Sequence, residues 1–226
     1  LKMQVGTIAV STDPLIETAL ASASAGLVVW RDMGVIRRAQ ILCDMADELE
    51  TRMHEMVGLL ACEAGRTLDD GVSEVREAVD FCRYYALQAR QTFNSSSGLE
   101  ACGTFFCISP WNFPLAIFVG QIAAALAAGN TVIAKPAEQT SLIACEAVKC
   151  FHSVGVPKNA LHLLTGSGAQ IGGKVLSDSR IKGVCFTGSN ETALVINRQL
   201  ASRSGPAIPF IAETGGQNCM VVDSTA

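Results

Sequence analysis

The sequence predicts an α/β protein: a doubly wound, mainly parallel sheet, Rossmann-like, with helices ahead of it. Three observations predict it. From residue 99 onward, short apolar runs alternate with glycine-rich turns and longer amphipathic stretches, the pattern of right-handed βαβ crossovers. Before that point, apolar residues recur every three or four positions among charges, as on helices with one buried face. The 226 residues are 49% apolar and 17% charged, enough apolar material for a sizeable core and too much for a disordered chain.

The elements follow in order. After an alternating stretch over residues 5–10, Ser11 or Thr12 is placed to cap a helix running toward Trp30. From Val35, the residues Ile36, Ala39, Leu42, Ala46 and Leu49 form one stripe; Val72, Val75, Val79, Cys82 and Ala86 form another. The charges between them, Arg38 among them, read as a solvated face. Residues 94–98 are a polar break. Strands are expected at 103–108, 131–134, 161–164, 183–186 and 208–212, with Cys219 in a further strand. Helices are expected at 114–128, at 141–153 and after the Gly166-Ser167-Gly168 turn. Residues 1–98 thus read as a helical segment packed on a nucleotide-binding region, 99–226, which leads into the start of a catalytic domain.

Composition excludes several function classes. With 17 basic and 21 acidic residues the net charge is −4, which disfavours electrostatic capture of nucleic acid or an anionic membrane. The longest apolar run, 113–128, is interrupted by Gln121 and is short for a membrane span. The nine cysteines are scattered, with no C-x-x-C pair and no zinc-type spacing to the three histidines. They read as small core residues of a cytoplasmic protein, with no metal site. The N-terminus, Leu1-Lys2-Met3, lacks a signal-peptide pattern and reads as an excision point.

Ligands of such sheets bind beyond the carboxyl ends of the strands. Four turns fall there: Ser109-Pro110-Trp111-Asn112, Lys135-Pro136-Ala137-Glu138, Gly166 through Gly172, and Thr187-Gly188-Ser189. Glycines admit a pyrophosphate to the backbone, helix N-termini offer free N–H groups, and a carboxylate accepts ribose hydroxyls. Each feature also has a plainer reading. Gly168 and Gly172 lack full G-x-G-x-x-G spacing and suit a simple turn. Asn112 suits a turn, Lys135 and Glu138 a surface ion pair, Ser189 a helix cap, Trp111 the core, and Glu213 a solvent-facing strand end.

Taken together, Cys107-Ile-Ser-Pro-Trp-Asn-Phe-Pro114, Ala134-Lys-Pro-Ala-Glu-Gln-Thr140, Phe186-Thr-Gly-Ser189 and Ala212-Glu-Thr-Gly-Gly-Gln-Asn218 resemble the signature segments of the aldehyde dehydrogenase superfamily. They are most similar to the L-glutamate γ-semialdehyde (1-pyrroline-5-carboxylate) dehydrogenase module of bacterial proline utilisation A proteins. The resemblance implies NAD as cofactor and a small aldehyde as substrate. It implies a homo-oligomeric parent fused to a flavin-dependent proline dehydrogenase.

By the same resemblance, Asn112 is the oxyanion donor, and Glu213 is the base that activates water for thioester hydrolysis. Lys135 and Glu138 hold the adenosine ribose. Gly168, Gly172 and Ser189 lie near the pyrophosphate, with Phe186, Thr187 and Gly188 in the same crevice. Ser109, Pro110 and Trp111 border the nicotinamide. Following an apolar run, Glu213 is expected to be partly desolvated, a setting that favours a general base.

The nucleophilic cysteine of the family belongs to a later segment, and none of the nine here matches it, so this polypeptide alone is expected to be inactive. Thr192 stands where an aliphatic residue is common. Two other readings stay open: a parent acting on another aldehyde such as succinate semialdehyde, and a non-catalytic nucleotide-binding or assembly module.

Overall fold

A computed structural model of the chain describes residues 4–93, 98–216 and 219–225. Positions 94–97 of the polar break and the Gln217-Asn218 end of the last motif lie outside them. Four helices come first: α1 (Asp13–Asp32), α2 (Val35–Thr51), α3 (Met53–Ala64) and α4 (Leu68–Thr92). Then strands and helices alternate as β1 (Thr104–Ile108), α5 (Ala116–Ala127), β2 (Thr131–Lys135), a 3-10 turn (Glu138–Thr140), α6 (Ser141–Ser153), β3 (Leu161–Leu163), α7 (Gly168–Ser177), β4 (Ile181–Thr187), α8 (Asn190–Ala201) and β5 (Phe210–Glu213).

The sheet order is β3-β2-β1-β4-β5, and every pairing is parallel. From β1 the chain moves outward through β2 and β3, then returns to the other side of β1 with β4. The order therefore reverses between β1 and β4, where a crevice opens above the strand ends. Register aligns that edge: Ile108 pairs with Lys135 on one side and Phe186 on the other, and Thr187 pairs with Glu213.

Alternation along the strands splits the core in two. Phe105, Cys107, Val132 and Ala134 join a cluster with residues of α2, α3, α4, α5 and α6. Phe106, Ile133 and Val184 join a second cluster with Ile16, Leu20, Ile171 and Val175 of α1 and α7. No single helix among the described residues is long and apolar enough to cross a membrane.

Several local expectations are corrected. α3 has no counterpart in the sequence reading: only Arg52 separates it from α2, so no glycine or proline marks the break. Ile36 is exposed because it lies about 100° round the helix from the mean direction of Ala39, Leu42, Ala46 and Leu49. Val72 lies about 50° off its stripe and is exposed as well.

Two charges assigned to a solvated face are buried, Arg38 and Glu74. Arg38 donates to Ala127 O at 3.3 Å and Arg31 O at 2.8 Å, satisfying carbonyls at the ends of α5 and α1, and burial pulls its pKa down. At the start of α1, Thr12 occupies the cap position without a side-chain bond, while Ser11 Oγ accepts from Thr165 N at 3.0 Å. Cys219 is in no strand: Met220, Val221 and Val222 are exposed and unpaired with the sheet.

Candidate active site

The loops leaving β1 and β4 carry the sheet register past the strand ends. Ser109 N donates to Lys135 O at 3.2 Å, and Gly188 N donates to Glu213 O at 3.1 Å. Two cavities open above this edge. The first, about 440 Å³, lies between α7 and α8 and is lined by Ile108, Lys135, Gly168, Gly172, Gly173, Leu176 and Thr192 among others. The second, about 540 Å³, is lined by Ser109, Pro110, Trp111, Asn112, Phe186, Thr187, Gly188, Ser189, Thr192 and Glu213, with Ile117, Thr214 and Gly215. Thr192 borders both.

The first cavity is shaped by absent side chains. A Cβ added at Gly168 or Gly173 would meet no atom within 4 Å, so open space begins at the backbone itself. Glu138 stands at its edge, where its Oε1 accepts from Gly168 N at 3.0 Å. Lys135 is buried rather than ion-paired at the surface, and its Nζ donates to Pro136 O at 2.9 Å. Burial holds the Lys135 pKa below the ordinary lysine value, with the charge of Glu138 opposing that shift. The surface-pair reading fails because β2 is covered on both sides, all five of its residues being buried.

Both helices at the first cavity start on serine caps. Ser167 Oγ accepts from Gln170 N, and Ser189 Oγ accepts from Thr192 N, each at 3.2 Å. Ser189 is thus the helix cap of the plainer reading and lines the second cavity as well.

In that second cavity Ser109 Oγ is buried without a hydrogen-bond partner among the described residues. Trp111 is 58% exposed, so it is no core residue. Asn112 is exposed. Glu213 is exposed too, which corrects the expected partial desolvation. β5 is an edge strand, and no described element covers the end of it that carries this carboxylate.

The sequence reading overlooked Gln121 and Glu74. Gln121 Nε2 donates to Ile108 O at 3.2 Å and Thr187 Oγ1 at 3.1 Å, tying the ends of β1 and β4 together beneath the second cavity. Its signal was visible, a lone amide inside the longest apolar run. Glu74 has no such signal, since the backbone N–H groups it accepts from are 41 and 42 residues away.

A dinucleotide fits these residues on three counts: glycine backbone bordering open space, an unpartnered buried hydroxyl in the adjoining cavity, and two helix N-termini at the same rim. Fold and site define a doubly wound α/β protein with a bipartite ligand crevice at its switch point.

Comparison with known proteins places it further: the chain belongs to the aldehyde dehydrogenase family, whose model matches residues 2–226. It is similar to the bifunctional protein PutA of Escherichia coli strain K12, 48% identical over 225 residues, which are 98% of this chain and 17% of that protein. Among solved structures, it superposes on a bifunctional proline utilization A protein with a TM-score of 0.88 at 49% identity, covering 93% of this chain and 23% of that one. A 1-pyrroline-5-carboxylate dehydrogenase from Thermus with bound NAD gives 0.85 at 31% identity, covering 92% and 43%. The chain therefore spans about a sixth of the curated PutA protein that it matches.

Proposed function

We propose that the chain is the NAD-binding part of an enzyme that oxidises L-glutamate γ-semialdehyde, the open form of 1-pyrroline-5-carboxylate, to L-glutamate in proline catabolism. One observation carries this reading. Asn112, from the loop after β1, and Glu213, at the end of β5 about a hundred residues later in sequence, line one cavity that adjoins the glycine-walled one.

In this reading Lys135, Glu138, Gly168 and Gly172 hold the adenosine half of NAD. Ser109, Pro110, Trp111, Phe186, Thr187, Gly188 and Ser189 hold the pyrophosphate and nicotinamide half. NAD, when bound, supplies the acceptor for the aldehyde's hydride. Asn112 donates its side-chain N–H to the carbonyl oxygen as that oxygen gains charge, an interaction worth about 3–4 kcal/mol in the transition state. Glu213, which lines the same cavity, takes a proton from the water that attacks the acyl carbon.

No cysteine lines the second cavity among the described residues. Cys107 is buried in β1, and Cys185 lies within β4. In this reading the nucleophile comes from the parent, and the 226-residue polypeptide alone is expected to be inactive. The bifunctional PutA relatives support a parent with a second activity; in this reading that activity is a flavin-dependent proline dehydrogenase and the parent is a homo-oligomer. Nine free cysteines support a reducing compartment, the cytoplasm.

The test is NADH formation from the semialdehyde, by a full-length protein carrying this sequence and by the chain alone. Turnover only in the former is expected. A substantial rate from the 226 residues removes the inactivity claim. Faster turnover of succinate semialdehyde by the parent removes the substrate assignment.

A further inference from the structure

Glu74 of α4 is 1% exposed and makes three bonds. Its Oε1 accepts from Leu115 N at 2.8 Å and, more weakly, from Ala116 N at 3.4 Å. Its Oε2 accepts from Arg66 Nε at 2.9 Å. Arg66 in turn lies with its guanidinium carbon 4.3 Å above the Phe113 ring centroid.

These contacts converge on the segment between β1 and α5, on either side of Pro114. Leu115 and Ala116 are fully buried, and the start of α5 has no side-chain cap of its own. Their N–H groups would lack partners without this carboxylate, which also meets the positive end of the helix dipole. On the other side, Trp111, Asn112 and Phe113 are all exposed, and Phe113 is held from above by the Arg66 guanidinium.

We propose that Glu74, with Arg66, is a positioning residue for Asn112: the pair fixes the α5 end of the loop and so aims the amide into the second cavity. The helical hairpin α3–α4 thereby acts on the site without touching it. The importance of Asn112 rests on the function proposed above; the placement of its loop does not.

The chain contains a built-in reporter and a built-in reference. Its two tryptophans are Trp111, next to Asn112, and Trp30, fully buried with its Nε1 donating to Leu126 O at the far end of α5. The 226-residue chain, labelled with 5-fluorotryptophan and free of nucleotide, is followed by fluorine NMR. Glu74→Ala is expected to shift or broaden the Trp111 resonance while that of Trp30 stays in place. Glu74→Gln, whose carbonyl can still accept from Leu115 N, is expected to restore Trp111 largely. An unmoved Trp111, or equal movement of both resonances, overturns the proposal.

Should Glu74→Ala not fold, Arg66→Met carries the test, since it removes only the partner nearer the surface. It too must move Trp111 alone, and an unmoved Trp111 in that variant overturns the proposal. In the full-length protein Glu74→Ala is expected to lower kcat about tenfold with KM for NAD unchanged, and Glu74→Gln to recover most of it. Absence of turnover in the unmutated parent would count against the proposed function and leave the fluorine result standing.

Discussion

The two cavities at the sheet edge are built differently. The first is walled by α7 and α8, floored by buried Lys135 and lined mainly by glycines and aliphatic side chains. The second has a polar lining from loops, with Asn112, Trp111 and Glu213 exposed and one buried hydroxyl unpartnered. The contrast suggests a division of labour. In the proposed reading, the partly apolar slot holds the adenosine half of the nucleotide, and the more polar one places groups beside the reacting atom.

Breaking the second cavity should have the largest effect. Asn112→Ala in the full-length protein is expected to lower kcat by about a hundred- to a thousandfold, with NAD affinity held within about twofold because in the proposed reading the amide acts on the aldehyde oxygen, not on the nucleotide. A parallel loss of NAD binding, by calorimetry, would merge the two roles. Filling the first cavity comes next. Gly168→Leu, directed into open space, is expected to weaken NAD binding at least tenfold, about 1.4 kcal/mol, with little change in Tm. Unchanged binding would place the nucleotide elsewhere.

The two serine caps sharpen the comparison. Ser167→Ala and Ser189→Ala should each cost about 1 kcal/mol of stability in urea unfolding. Only Ser189, which lines the second cavity, should also weaken NAD binding several-fold.

The smallest expected effect lies away from both cavities, between α7 and β4. Asp178 accepts from Arg180 N at 2.8 Å, Nε at 2.9 Å and Nη2 at 2.6 Å. Hydrogen bonding to the Arg180 side chain holds its pKa below the ordinary value of 3.8. The stabilisation is therefore complete above 3.8 and is lost as pH falls through the depressed folded-state value. Asp178→Asn should cost about 1 kcal/mol at neutral pH and progressively less below pH 3.8. A difference constant across that range would show the carboxylate's charge to be immaterial.

Much of the architecture was legible because helical periodicity and the alternation of apolar runs with glycine-rich turns are both sequence-local signals. The predicted strands overlap β1 to β5 closely, and the four turns lie at the strands' carboxyl ends. Legibility failed where one residue's environment depends on distant chain. Arg38 and Glu74 look like surface charges on a helical wheel, yet the ends of α1 and α5 draw both into the core. Lys135 is another such case: as a motif member it was visible, but its burial comes from elements packed around β2. Glu213 errs the other way: its apolar approach suggested cover, but β5 is an edge strand and none of the described residues provides that cover.

The sequence by itself determined the family, the alternation of strands and helices, and which turns hold the candidate site. These follow from residue types at short spacing, where backbone geometry dictates the outcome. Only the tertiary structure decided that Asn112 and Glu213 share a cavity, that Ser109 keeps a buried hydroxyl unpaired, and that Glu74 reaches the start of α5. Those facts depend on sheet order and helix packing, which join segments far apart in the chain and leave no local pattern to read.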